Sequence, residues 1–217
     1  MNTIRRTTFA FLAALALMFA ATASAQSAPN ALVEGRDYVV IPDGIPFTNA
    51  KGKTEIAEVF GYWCHHCNNF QPLVDKWKPT LPSTVNFVYV PAAFDPQDPY
   101  ARAYFAARQL RLPADKVHHD LFRAIHTERS LPMNASENEL AQFHTRYGVS
   151  ADKFLATMNS KPVATQMVWA NQFAQTSGVE GTPTLIVAGK YRIYAATHQD
   201  ALRIAAQLAA QLQSGPR

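Results

Sequence analysis

The stretch EVFGYWCHHCNNFQP, residues 58–72, constrains the fold of this chain more than any other segment. It holds Cys64 and Cys67, the only two cysteines in the sequence. The residues that lead into it from Thr54 are rich in β-branched and aromatic side chains, which predicts a strand. The residues that follow carry apolar side chains at spacings of three and four, which predicts a helix that Pro72 breaks or kinks. The cysteine pair is therefore expected at a strand-to-helix junction, with Cys64 near the helix N-terminus.

The first 25 residues predict a secretory signal peptide. Arg5 and Arg6 supply the positive charge, residues 9–21 form an uncharged apolar run, and residues 23–25 read Ala-Ser-Ala. An apolar run of 13 residues is too short to span a bilayer comfortably. Cleavage is expected between Ala25 and Gln26, and export would deliver the rest of the chain to a compartment where disulfides persist.

The composition argues against two classes of protein. The chain has 20 basic and 16 acidic residues, a net charge of +4, without a dense basic patch. A nucleic-acid partner is therefore not expected. No later segment is long and apolar enough to predict a membrane span. The 192 residues after the expected cleavage site suffice for one domain that carries an insertion.

The spacing of the two cysteines favours a redox role over a structural one. A disulfide that closes so small a loop removes little entropy from the unfolded chain and stabilises the fold weakly. A tetrahedral zinc site needs four ligands, and His65 and His66 lie in the same tight turn as the cysteines, where they cannot easily converge on one ion. His119 and His126, seven residues apart, are better explained as a solvated helix face. A metal-binding module therefore stays the less favoured alternative, and no metal site is predicted.

The expected position of Cys64 suits a reactive thiol. Free N–H groups and the helix dipole stabilise a thiolate at a helix N-terminus. His66, two residues further on, can add to this through its ring or its backbone N–H, and His65 either acts in the same way or faces water. A stabilised thiolate favours the reduced protein, so the disulfide form would be a strong oxidant. The predicted chemistry is the donation of a disulfide to other proteins.

The remaining elements predict a discontinuous α/β domain. An edge strand is expected at residues 36–41, further strands are expected at residues 54–60 and 84–90, and a hairpin with a final helix is expected after Thr182. Helices alone are expected between residues 98 and 178, and Ser136 with Glu139 predicts a capping box at the start of one of them. Thr182-Pro183 lies directly before a strand, and the local sequence by itself favours an ordinary trans peptide bond over a cis one.

These features together resemble the DsbA family, the thioredoxin-fold thiol:disulfide oxidoreductases of the bacterial periplasm. The resemblance rests on the Cys-x-x-Cys unit, the helical insertion and the later Gly-Thr-Pro-Thr, and it covers essentially the whole chain after residue 25. It implies a discontinuous thioredoxin fold with an all-helical insertion domain. Residues 26–95 and 166–217 would form the two parts of the thioredoxin-fold domain, and residues 96–165 would form the insertion.

The resemblance also implies a role for each site residue. Cys64 would be the exposed cysteine that attacks substrates, and Cys67 its buried partner. His66, in the position of the histidine in the family's Cys-Pro-His-Cys, would stabilise the thiolate. The remaining assignments are a substrate-binding cis-proline loop at Thr182 and Pro183, and a proton-relay acid at Glu58. The chain departs from the family where His65 replaces the usual proline and where Gln71 stands in place of a second glutamate found in some members.

The implied partners are unfolded exported proteins and a membrane-embedded, quinone-linked reoxidase of the DsbB type. The protein is expected to be monomeric and periplasmic, and to use its disulfide without a metal or another cofactor. A disulfide isomerase or reductase of the same fold is the main alternative. Isomerases of that kind usually carry an N-terminal dimerisation domain, and the segment before the predicted site strand is too short for one.

Overall fold

A five-stranded mixed sheet forms the centre of the computed structural model, which describes residues 31–214. The strands lie in the order β1-β5-β4-β2-β3. Strands β2 and β3 are parallel, whereas β4 is antiparallel to β2 and to β5, and β5 is antiparallel to β1. The strand bounds are β1 Tyr38–Val40, β2 Thr54–Phe60, β3 Val85–Pro91, β4 Thr184–Val187 and β5 Tyr191–Ile193. The predicted edge position of the first strand and the predicted hairpin are confirmed.

The turn between β4 and β5 requires glycine at position 189. Gly189 has a φ of +69°, and a Cβ there would lie 2.0 Å from the carbonyl carbon of Ile45. A side chain would therefore meet both backbone strain and backbone atoms. This close approach fixes the segment before β2 against the hairpin.

Helix α1 (His65–Trp77) follows β2 directly and begins at the cysteine motif. Pro72 lies inside this helix, which continues to Trp77, so of the two expected effects of Pro72 the break does not occur. Packing offers a physical reason, because Phe70 and Val74 on either side of Pro72 are buried, and this burial can offset the hydrogen bond that proline removes.

Five helices separate β3 from β4, as the sequence predicts. They are α2 Pro99–Gln109, α3 Ala114–His126, α4 Glu137–His144, α5 Ala151–Met158 and α6 Lys161–Thr176. Ser136 and Glu139 form the predicted capping box of α4, and the Ser150 side chain caps α5. Helix α6 runs across the boundary proposed between residues 165 and 166 without interruption.

The sheet is buried on both faces. Helix α1 and the last helix, α7 (His198–Ser214), share an apolar cluster with Ile56, Leu185 and Val187 of the sheet. Ala57, Val59 and Ile186 belong to a second cluster that extends through the five helices between β3 and β4. All β2 residues after Thr54 are buried, and these include two acidic residues, Glu55 and Glu58. Within residues 31–214, no helix combines the length and the hydropathy needed to cross a bilayer.

Candidate active site

Cys64 lies where the sequence predicts it, immediately before the first residue of α1. It has the extended backbone typical of an N-cap, with φ −83° and ψ 118°. Its N–H donates to the Gly61 carbonyl at 3.0 Å. Its sulfur accepts a hydrogen bond from the backbone N–H of Cys67 at 3.3 Å, so the sulfur takes the place of a capping oxygen.

The expected exposure of Cys64 is wrong. Only 7 % of its surface is accessible, whereas Cys67 is completely buried. Both cysteines are free thiols in the structure. The Cys64 sulfur donates to the Thr182 carbonyl at 3.2 Å, so a loop 118 residues away in sequence covers part of the thiol. The order of accessibility is as expected, because Cys64 is the more accessible of the two cysteines.

The surroundings shift the acidities of the two thiols in opposite directions. A hydrogen bond from the Cys67 side chain is the largest of the effects that lower the pKa of Cys64 from 9.0 to about 5. The Thr182 side chain and the backbone N–H groups of Cys67 and His66 lower this pKa further, against the opposing effect of burial. Burial raises the pKa of Cys67 above its ordinary value, and the nearby Glu58 carboxyl adds to that increase. The thiolate of the pair is therefore the Cys64 sulfur.

The two histidines of the motif have different environments. Both are exposed. His66 supports the Cys64 thiolate through its backbone N–H, one of the two possibilities that the sequence left open. The His65 ring is directed towards helix α3, where its Nδ1 lies 3.1 Å from Nδ1 of His126. The His65 side chain is therefore engaged with another residue, and it is not among the groups that lower the pKa of Cys64.

The Thr182–Pro183 peptide bond is cis, as the family resemblance implies. This loop forms one wall of a groove of about 250 Å³ beside the redox motif. The lining is mixed: Phe70, Leu185 and Ile193 contribute apolar side chains, and His66, His198 and three threonines contribute polar ones. The groove, the cis-proline loop and Cys64 therefore belong to the same surface.

Glu58 lies on β2 and is almost completely buried, with 1 % of its surface accessible. Its Oε2 atom has no hydrogen-bond partner. Burial raises the pKa of Glu58 well above its ordinary value, and the negative charge of Cys64 raises it further. Burial therefore favours the protonated form of Glu58, which lies close to the cysteine pair.

Several residues that surround the motif were not predicted from the sequence. His118 on α3 is buried and contacts Tyr62 and Gln71, which lie on either side of the cysteines. His126 was interpreted as part of a solvated face, but its Nε2 donates to the Tyr62 carbonyl at 2.7 Å. The charges of Cys64 and His66 affect the pKa of His198. The histidine-rich apolar stripe in α3 was the only feature of the sequence that could have pointed to these contacts. The sequence does not specify which part of the protein that stripe faces.

The metal alternative finds no support in the geometry. Among residues 31–214, no group of three or more histidine, cysteine or acidic side chains gathers at one point. His126, which lies beside the motif, contacts His65 rather than the two sulfurs. The candidate site is a pair of thiols with opposite acidities, and it is suited to thiol–disulfide exchange.

Comparisons with known proteins agree with this chemistry. The family model described as the DSBA-like thioredoxin domain matches residues 98–207, a stretch that begins after the cysteine pair. The thiol:disulfide interchange protein DsbA of Pseudomonas aeruginosa is 36% identical over 159 residues, which are 73% of this chain and 74% of that protein. The protein of the same name from Bordetella pertussis is 33% identical over 190 residues, 87% of each chain.

Solved structures give the same result for the fold. The oxidoreductase DsbA from Xylella fastidiosa has 40% sequence identity and a TM-score of 0.81, and the match covers 85% of this chain and 99% of that one. Pseudomonas aeruginosa DsbA has 33% identity and a TM-score of 0.75, with 84% and 95% of the two chains covered. The chain therefore belongs to the DsbA family of thiol:disulfide interchange proteins, and it is a thiol:disulfide oxidoreductase.

Proposed function

We propose that this oxidoreductase donates its Cys64–Cys67 disulfide to exported proteins as they fold in the periplasm. The observation that carries the proposal is the opposite shift in the acidities of the two thiols. A Cys64 pKa of about 5 makes this residue a thiolate at neutral pH when the protein is reduced. Because the thiolate stabilises the reduced form, the protein releases free energy when it passes its disulfide to a substrate.

The exchange proceeds in two steps. A substrate thiolate attacks the Cys64 sulfur, which breaks the Cys64–Cys67 bond, forms a mixed disulfide and leaves the electron pair on Cys67. A second substrate thiolate then attacks the substrate sulfur of the mixed disulfide, which forms the substrate disulfide and releases Cys64 as a thiolate. The low pKa of Cys64 makes it a good leaving group in this second step. The substrate loses two electrons, and the enzyme gains them as a dithiol.

Cys67 needs a proton when it leaves, because its own pKa is raised by burial. We assign this proton to Glu58, whose burial favours the protonated carboxyl and which interacts electrostatically with both cysteines. Thr182 and Pro183 are assigned to substrate binding, with the backbone of Thr182 pairing with an extended peptide beside the sulfur. Pairing through the main chain is suited to many unfolded sequences, because main-chain hydrogen bonds do not select one side chain.

After each turnover the dithiol has to be oxidised again. We assign this step to a membrane-embedded, quinone-linked partner of the DsbB type, which takes two electrons from Cys64 and Cys67. The protein would act as a monomer in the periplasm, after removal of the signal peptide predicted in residues 1–25. That segment lies outside the described residues.

The test combines a refolding assay with a trapping variant. The oxidised protein should convert a reduced, unfolded disulfide protein to its oxidised form, with one disulfide transferred per enzyme dithiol produced. Cys67→Ala, mixed with a disulfide-containing protein, should accumulate Cys64-linked adducts on non-reducing gels. The Cys64 thiolate attacks the disulfide and releases one of its two sulfurs as a thiolate, and the internal thiol that would then displace the bound protein is missing. A Cys64→Ala,Cys67→Ala variant is the matched control. A folded Cys67→Ala protein without such adducts would contradict the proposal, as would a wild-type protein that rearranges scrambled disulfides faster than it oxidises dithiols.

A further inference from the structure

Helix α3 is not part of the redox motif. One of its buried side chains nevertheless contacts a residue that precedes the two cysteines and a residue that follows them. His118 is 2 % exposed and is surrounded by aromatic rings, with the Phe60 and Tyr89 ring centroids at 4.8 and 4.0 Å. Burial lowers the pKa of His118 well below its ordinary value, so the ring is neutral. A neutral imidazole has one donor nitrogen and one acceptor nitrogen.

The neighbours of His118 determine which nitrogen carries the proton. The Gln71 amide group donates to Asp75 Oδ1 and to the Tyr89 hydroxyl, both at 2.8 Å, which leaves the Gln71 Oε1 atom facing His118. His118 Nε2 therefore donates to Gln71 Oε1 at 2.9 Å. The other nitrogen, Nδ1, accepts from the Tyr62 hydroxyl at 2.9 Å. Both nitrogens of this buried ring are satisfied, which is the arrangement that a neutral histidine requires.

The two partners of His118 enclose the cysteine motif in sequence. Tyr62 lies two residues before Cys64, and Gln71 lies four residues after Cys67. Helix α3 also holds the backbone of Tyr62, because His126 Nε2 donates to the Tyr62 carbonyl at 2.7 Å. The loop that leads into Cys64 is thus held at its side chain and at its backbone by one helix.

These contacts of α3 with Tyr62 matter because the stability of the Cys64 thiolate depends on directional hydrogen bonds. The N–H of Cys67 and the Thr182 loop must point at the sulfur to stabilise its negative charge. Hydrogen bonds weaken steeply when their angle changes, so a small rotation of residues 62–64 relative to α1 would weaken several of them together. We propose that His118 is a positioning residue of the redox centre, which keeps the Tyr62 loop and helix α1 in the register that stabilises the Cys64 thiolate. This inference rests on the proposed function.

The test replaces His118 with phenylalanine, which keeps a ring but removes both hydrogen bonds. We expect the acid dissociation constant of Cys64 to fall about tenfold or more. This change corresponds to the free energy of one lost hydrogen bond to a charged group. Thiolate absorbance at 240 nm in the reduced protein measures the constant. The equilibrium with glutathione should shift towards the oxidised protein in parallel. His118→Gln keeps a donor and an acceptor and should recover part of both quantities.

His144→Phe is the matched control. His144 is also fully buried in the inserted helices, and its Nδ1 donates only to the Leu140 carbonyl of its own helix. This variant should change stability but leave the Cys64 dissociation constant within about twofold, because no contact of His144 reaches the motif. If His118→Phe does not fold, Tyr62→Phe removes one of the two bonds and should lower the constant by a smaller factor.

The outcomes separate this inference from the proposed function. The positioning role alone would be overturned if His118→Phe folds and its Cys64 dissociation constant stays within twofold of wild type. If His118→Phe does not fold, the same result in a folded Tyr62→Phe protein would overturn it. A shift of equal size in His144→Phe would also overturn it, because the effect would then be general to the inserted helices. A wild-type Cys64 that titrates like a free thiol would instead remove the basis of the proposed function.

Discussion

Cys64 and Cys67 are three residues apart, but they lie in opposite environments. Cys64 occupies the N-cap of α1, where the Cys67 thiol, the Thr182 loop and backbone N–H groups all favour its negative charge. Cys67 lies one turn further, completely buried and close to the Glu58 carboxyl, where a negative charge is disfavoured. The redox chemistry therefore arises from the difference in acidity between the two thiols. Two equivalent thiols would provide neither a good leaving group, as Cys64 does, nor a thiol that keeps its proton, as Cys67 does.

The largest consequence concerns the stability of the two redox states. A thiol whose folded pKa is depressed contributes stability above its unfolded pKa, and this stability is lost as the pH falls through the folded value. With a folded pKa of about 5 and an ordinary value of about 8.5, the Cys64 thiolate stabilises the reduced protein by about 3 kcal/mol at pH 7. Denaturant titrations of both redox forms should show a more stable reduced form at pH 7, with a smaller advantage at pH 5. A more stable disulfide form at pH 7 would contradict the account.

The second prediction removes the contribution of Cys67 to Cys64. The Cys67 side chain is the largest cause of the low Cys64 pKa, so Cys67→Ala should raise that pKa by about one unit or more. Cys67→Ser keeps a side-chain donor and should raise it less. Thiolate absorbance against pH measures both variants. Equal pKa values in the two variants would show that the side-chain donor has no part in the asymmetry.

A third prediction concerns the two buried acids of β2. Glu58 has an unpartnered oxygen, and Glu58→Gln should stabilise the protein by about 1 kcal/mol at pH 7. Because burial raises the pKa of Glu58, its contribution to stability falls as the pH rises above the unfolded value, so the gain should increase with pH. The same variant should slow the opening of the enzyme disulfide by a substrate thiol. Urea titrations and stopped-flow kinetics measure the two effects.

Glu55→Gln is the matched control, three residues away on the same strand. The Glu55 carboxylate accepts hydrogen bonds from the Phe47 and Thr48 N–H groups and from the Thr48 hydroxyl. In Glu55→Gln, the amide N–H₂ replaces one of the accepting oxygens and faces a hydrogen-bond donor. The free energy of unfolding should therefore fall by about 1–3 kcal/mol without a change in disulfide chemistry. If both variants change stability in the same direction, the unpartnered oxygen of Glu58 does not explain its behaviour.

The smallest effects are expected for the histidines between the cysteines. The His65 ring contacts His126, and His66 supports the sulfur through its backbone N–H, which any residue supplies. His65→Gln and His66→Gln should each change the Cys64 pKa by less than about half a unit, well below the effect of Cys67→Ala. A change of more than one unit in His66→Gln would show that its ring, and not its backbone, stabilises the thiolate.

Local sequence predicted the parts of the molecule that depend on local interactions. The strand before Cys64, the helix after it and the capping box of α4 depend on residues within a few positions of each other. The cis-proline loop required the family resemblance, because the local sequence favoured a trans bond. At Pro72 the local sequence predicted a break or a kink and did not decide between them, and packing of the neighbouring residues can offset the lost hydrogen bond where the helix continues.

The site residues that the sequence analysis missed are joined to the motif by long-range contacts. His118 contacts Gln71 across 47 positions, and His126 contacts Tyr62 across 64. The burial of Cys64 depends on the Thr182 carbonyl, 118 positions away. Periodicity identifies a helix face but not the element that covers it, so neither the burial of Cys64 nor the role of α3 could be obtained from the pattern of one sequence.

The asymmetry of the cysteine pair is tested most directly by titrating Cys64 in the reduced wild-type protein. Thiolate absorbance at 240 nm should follow one transition with a pKa of about 5, while Cys67 stays protonated through the neutral range. Cys64→Ala should remove this transition and leave no titration below pH 8. A transition near the free-cysteine value of about 8.5 in the wild-type protein would contradict the account.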